Sequence, residues 1–142
     1  MIILAFPAVK INIIPLYLSY LNSFYEPILD YNLLMFCLKS YSGENNDGNN
    51  SFLSPLHMDD KIIKYLPKLK IYGGTGDPLR DDYVEFFHKY NNAHVACQLF
   101  EFNYFLHGFL NYDYSFVMHK ASQCTDMIYD DITNYTNEDS LI

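Results

Sequence analysis

Lys68 to Tyr90 reads KLKIYGGTGDPLRDDYVEFFHKY, and this stretch sets the fold class. Residues 68–74 form a strand pattern that runs into glycines, and Gly73, Gly74 and Gly76 permit a tight exit from it. Pro78 then opens a helix over 78–90, with Asp81 and Asp82 near its positive end. HVACQLFEF, His94 to Phe102, reads as the next strand. Strand, helix, strand in this rhythm predicts a parallel sheet with helices on its faces, an α/β architecture.

Reading outward from this unit extends the same order. MDDKIIKYL, Met58 to Leu66, predicts a short helix that Pro67 ends. ILDYNLLMFCLKSY, Ile28 to Tyr41, predicts a longer one, with Asp30 as N-cap, Gly43 as stop, and Leu29, Leu33, Phe36 and Cys37 on its apolar face. IILAF, Ile2 to Phe6, is a short apolar run ended by Pro7, as in a buried parallel strand. Residues 7–26, with Pro7 and Pro15, read as irregular. SFVMHKASQCTDMIYDDI, Ser115 to Ile132, predicts an amphipathic helix with Phe116, Met118, Ala121, Cys124 and Ile128 on its apolar side. The domain so read spans 1–131, includes a polar loop at 43–50, and leaves 132–142 as a polar tail.

The 142 residues are half hydrophobic, enough for one domain with a core. A net charge of −8 and the absence of any basic run argue against a nucleic-acid partner. Cys37, Cys97 and Cys124 are odd in number and form no CxxC, so neither a disulfide framework nor a zinc site is expected, and a reducing, cytoplasmic setting fits best. Residues 1–21 are apolar, but Pro7 and Pro15 interrupt them and Lys10 sits mid-segment, so no transmembrane span is expected.

Two residues stand where chemistry collects in such sheets, just past the carboxyl ends of strands. Asp77 follows the first strand of the unit and His107, in FLHGFL, follows the second. If these strands are neighbours, their tips lie about 5 Å apart and the loops can join carboxylate to imidazole. From GGTGD alone, the cap of the helix that follows is the favoured reading of Asp77 over a triad acid, and GGTGDP lacks the lysine and GKS/T ending of a phosphate loop. His57, His88, His94 and His119 read as packed side chains, and their spacing suits no metal site.

DPLRDD followed 30 residues later by HGFL resembles the C-terminal part of the hormone-sensitive lipase family of α/β-hydrolases. FPAVKI (Phe6 to Ile11), SFYEPIL, LKSYSG and FLSPL (Phe52 to Leu56) resemble further segments of that family in the same order, over about residues 1–131. The resemblance implies a parallel sheet with flanking helices and a serine carboxylester hydrolase or lipase acting on acylglycerols or smaller esters, without a cofactor. It assigns Asp77 as the triad acid and His107 as the general base, makes Asp82 a structural acid, and carries association with a lipid surface by analogy. The animal lipases hold a long regulatory insertion near GENNDGNN, which is short here.

No serine in the chain is bracketed as GxSxG, and no HGGG segment is present. In this fold the triad runs Ser, Asp, His along the chain. The expectation is therefore that the nucleophile-bearing N-terminal half lies upstream of Met1, in keeping with an opening on a buried strand. The chain by itself would be inactive. The competing expectation is a non-catalytic, truncated hydrolase fold that binds a lipid or a partner.

Overall fold

The computed structural model describes residues 1–11, 17–43, 48–111 and 119–139. In chain order these form β1 (Ile2–Ala5), α1 (Ser19–Asn22), α2 (Tyr31–Ser42), α3 (Asp60–Ile63), β2 (Leu69–Gly74), α4 (Arg80–Asn92), β3 (Cys97–Phe102) and α5 (His119–Asp139), with 3-10 turns at Pro55–His57 and Phe109–Asn111. The strands pair in the order β1-β2-β3, both pairs parallel. Ile71 of β2 faces Leu4 on one side and Leu99 on the other.

The two-residue period of β2 divides the core between the faces of the sheet. Leu69 and Ile71 join Ile63, Tyr83, Phe86 and Tyr90 beneath α4. Tyr72 joins Phe105, Phe109, Ala121 and Cys124 beneath α5, and its ring stacks on that of Phe100, its partner in register, at 4.9 Å. Each such aliphatic side chain taken fully from water contributes about 1.5–3 kcal/mol. Burial pushes the Cys124 thiol up to about 12, so it serves this core as a small apolar filler.

The end of the chain departs from the expected polar tail, because α5 continues to Asp139. ITNYTNED contains neither glycine nor proline to stop it. The Thr133 and Thr136 hydroxyls donate to the carbonyls of Tyr129 and Thr133, and the Lys68 ammonium lies 5.4 Å from the Tyr135 ring centroid. Further up the helix, Asp131 accepts from the Lys70 ammonium and the Tyr72 hydroxyl. Burial alone would raise the Asp131 carboxyl, but these two partners hold it below its ordinary value. Phe116, Met118 and the expected helix start at Ser115 lie outside the described residues, as do Pro15 and residues 44–47 of the polar loop.

Asp30 caps α2 as expected, accepting from the backbone N–H groups of Asn32 and Leu33 at 2.8 and 3.0 Å, and Gly43 ends it at φ 67°. The buried face differs from the expected one. Leu34 and Leu38 pack with Leu29, Ile11, Tyr20 and Leu79, while Leu33, Phe36 and Cys37 are exposed. The run LLMFCL offers two apolar stripes of similar strength, and only the neighbouring chain decides between them.

The irregular reading of residues 7–26 missed α1. This four-residue turn is held by α4 rather than by local propensity. Ser19 N donates to Asp81 Oδ2 at 2.9 Å, and the Tyr20 hydroxyl donates to Asp82 Oδ2 at 2.7 Å. Asp82 is fully buried, and its Oδ1 has no hydrogen-bond partner among the described residues. Burial pushes its carboxyl up from 3.8 to about 6, against the Tyr20 hydroxyl and the Lys10 charge, which favour the ionised form. A raised carboxyl in the folded state means that folding takes up a proton, so this group costs stability as pH rises from about 4 through about 6. The expected result is that Asp82→Asn gains on the parent by roughly 2–3 kcal/mol between pH 4 and pH 7.5 in urea unfolding. An equal difference at both pH values would contradict it.

Candidate active site

The site is built where the chain leaves β2 and β3. Gly74 ends β2 against the loop that follows β3, and a Cβ there would lie 2.1 Å from the Phe105 carbonyl oxygen and 2.6 Å from its carbon. Only a residue without a side chain permits this approach. Backbone bonds then join the two loops. Thr75 N donates to Phe102 O and Gly76 N to Phe105 O, each at 3.0 Å, and Tyr104 N donates to Thr75 Oγ1 at 2.9 Å. Tyr83, reaching back from α4, donates its hydroxyl to Gly74 O at 2.9 Å. Burial, with the Asp77 charge adding to it, raises the Tyr83 hydroxyl above its ordinary value, so it stays protonated as a donor.

These bonds carry Asp77 and His107 to each other. His107 Nδ1 stands 3.1 Å from both Asp77 Oδ1 and Asp77 Oδ2. Asp77 is fully buried, whereas the His107 side chain keeps 23% of its surface open. Asp77 is not the N-cap of α4, which is Leu79, but its Oδ1 accepts from Leu79 N at 2.8 Å in the turn that leads into the helix. One carboxylate thus anchors the turn and meets the imidazole. Among the described residues the hydrogen bonds of the His107 ring run through Nδ1 and leave Nε2 unengaged.

Around the pair, Arg80 at the start of α4 grips Glu101 at the end of β3 through Nε at 2.7 Å and Nη2 at 3.2 Å. The Glu101 carboxylate raises the Arg80 guanidinium further above its ordinary value. On the other side a cavity of about 200 Å³ is lined by Asn22, Tyr25, Glu26, Gly76 and Leu106, the last two being direct chain neighbours of Asp77 and His107. A larger apolar hollow of about 440 Å³, lined by Ala8, Ile11, Cys37, Leu38 and Phe52 among others, shares no residue with the pair.

Sequence reasoning named both members of the pair but not their surroundings. Phe6, read as a strand end, lies with its ring 5.2 Å from the His107 ring at 64°. His57, His88 and His94 are exposed rather than packed, because they stand on surface turns and the outer face of α4. Among the described residues no group of three His, Cys, Asp or Glu side chains could hold a metal ion. No described helix is long and apolar enough to cross a membrane.

Comparison with known proteins places this geometry. Residues 2–111 match the model of a family described as having the α/β-hydrolase fold. Among solved structures, an esterase of Pyrobaculum calidifontis is similar with a TM-score of 0.81 and 23% identity, over 94% of this chain and 42% of that one. A hormone-sensitive lipase from a metagenome library gives 0.80 and 20%, over 93% and 43%. A thermostable esterase of Pseudomonas putida gives 0.67 and 21%, over 75% and 33%. At these identities the likeness is one of fold, and the chain spans less than half the length of each. No curated protein matches by sequence. With the family match covering most of the sequence, and three parallel strands carrying an aspartate and a histidine on adjacent tips, the chain belongs to the α/β-hydrolase fold family.

Proposed function

We propose that these residues supply the acid and the base of a serine carboxylester hydrolase, whose serine and oxyanion donors come from a segment outside the 142. The observation that carries this reading is His107 Nδ1 at 3.1 Å from both oxygens of a fully buried Asp77. A carboxylate on Nδ1 holds the proton there and leaves Nε2 as the acceptor, the tautomer a base needs.

The chemistry follows from that arrangement. The serine oxygen attacks the ester carbonyl carbon while His107 Nε2 takes the hydroxyl proton, and Asp77 stabilises the imidazolium that forms. His107 returns the proton to the departing alkoxide, leaving an acyl-serine. Water then attacks the acyl carbon with His107 again as base, and the serine is released. An acylglycerol or a smaller ester fits as substrate. Tyr25 lines the small cavity and is exposed, and Leu21 and Phe24, close to it in the chain, are exposed too; together they offer an apolar lip for an acyl chain. The same lip supports contact with a lipid surface.

The chain has no GxSxG serine, and a triad without its nucleophile loses the covalent route. The purified 142-residue chain is therefore expected to hydrolyse a short-chain p-nitrophenyl ester no faster than buffer does. Hydrolysis that disappears in His107→Ala would contradict this, because a nucleophile would then have to lie within the chain.

A further inference from the structure

The backbone at the end of β1 is unusual. Phe6 has φ 38°, in the region that residues with a side chain rarely adopt, and Pro7 after it restricts the conformation further. A glycine would sit there without strain. The position is nonetheless fixed, since Phe6 N donates to Tyr72 O at 2.7 Å, one step past the last β1–β2 pair. The result of this conformation is where the ring goes. It lies edge-on to the His107 ring, centroids 5.2 Å apart, and edge-on to Phe109 at 5.8 Å and 65°. Phe109 is itself buried two residues beyond His107.

We infer that Phe6 is a positioning residue for the His107 imidazole, its strained backbone holding an aromatic wall against a ring that Asp77 grips at one nitrogen only. This rests on the base role proposed for His107. Contact at Nδ1 alone leaves the imidazole free to swing about that bond, and the T-shaped contact with Phe6 blocks the swing. Phe109 backs Phe6 in turn. Nε2 is thereby kept pointing at one place, where a serine oxygen must arrive. The strand that supplies Phe6 is neither of the two that supply Asp77 and His107, so all three strands of the sheet contribute to the site.

The test uses the ring nitrogen signals of His107 in the ¹⁵N-labelled 142-residue chain, recorded at neutral pH beside amide spectra that report folding. In the parent, Nδ1 and Nε2 are expected far apart in shift, as in a single Nδ1–H tautomer. Phe6→Leu keeps apolar volume but removes the aromatic wall, and the two signals are expected to move toward each other as tautomers mix. Phe6→Gly removes the ring and the φ strain together, so it folds where the leucine variant does not, and it is expected to give the same averaging. Phe6→Tyr retains the wall and is expected to restore the parent separation. Parent-like His107 signals in whichever of Phe6→Leu and Phe6→Gly folds would overturn the inference while leaving the base role standing. So would averaging that Phe6→Tyr fails to restore, since that marks plain packing. Averaged signals in the parent would instead overturn the base role itself, and the inference with it.

Discussion

Gly74→Ala is expected to destabilise the chain by about 3 kcal/mol or more, at or beyond the upper end of overpacking costs. The added Cβ would stand 2.1 Å from the Phe105 carbonyl oxygen. That neighbour is backbone, so no side chain can rotate out of the way. Relief requires the loop after β3 to move, and this breaks the bond from Gly76 N to Phe105 O and disturbs the one from Tyr83 to Gly74 O. A domain has only about 5–15 kcal/mol in total to lose. Ser40→Ala, on the exposed side of α2, is expected to change stability by no more than about 0.5 kcal/mol. Urea unfolding of the two variants against the parent measures both, and a loss under about 1 kcal/mol at Gly74 would mean that the two loops are not locked together. Because this lock holds Asp77 to His107, the variant should also separate the pair.

Asp77→Asn is expected to have the second large effect, on turnover rather than on folding. In a protein that contains the serine segment, it should lower kcat by about 10⁴-fold with little change in KM, because an amide facing Nδ1 no longer fixes the tautomer. The amide oxygen can still accept from Leu79 N, as Asp77 Oδ1 does at 2.8 Å, so the turn into α4 survives. His107→Ala should cost more, about 10⁵–10⁶-fold. The double variant should be no worse than His107→Ala alone, since both residues act as one unit. Additive losses in steady-state kinetics would show that Asp77 serves the turn and not the histidine.

The parts of this molecule that could be read from sequence are those whose neighbours are also near in sequence. β2, α4 and β3 follow one another, their periodicities are clean, and the glycines and Pro78 mark the joints. Asp77 and His107 were legible because a parallel sheet gathers its strand tips in one place whatever the side chains. The hidden parts depend on distant contacts. The α1 turn exists through Asp81 and Asp82, 62 residues away. The choice of Leu34 and Leu38 over Leu33 and Phe36 is made by Ile11, Tyr20 and Leu79. The positive φ of Phe6 leaves no trace in its residue type, since phenylalanine before proline predicts extended backbone.

The pair's role is tested most directly by ester hydrolysis. The chain would be joined behind the serine-bearing half of an α/β-hydrolase, with HGGG and GxSxG included, and assayed on a short-chain p-nitrophenyl ester as parent and as His107→Ala. A base at His107 predicts turnover in the parent and a loss of at least about 10⁴-fold in the variant. Equal turnover in both would show that His107 takes no proton from the serine.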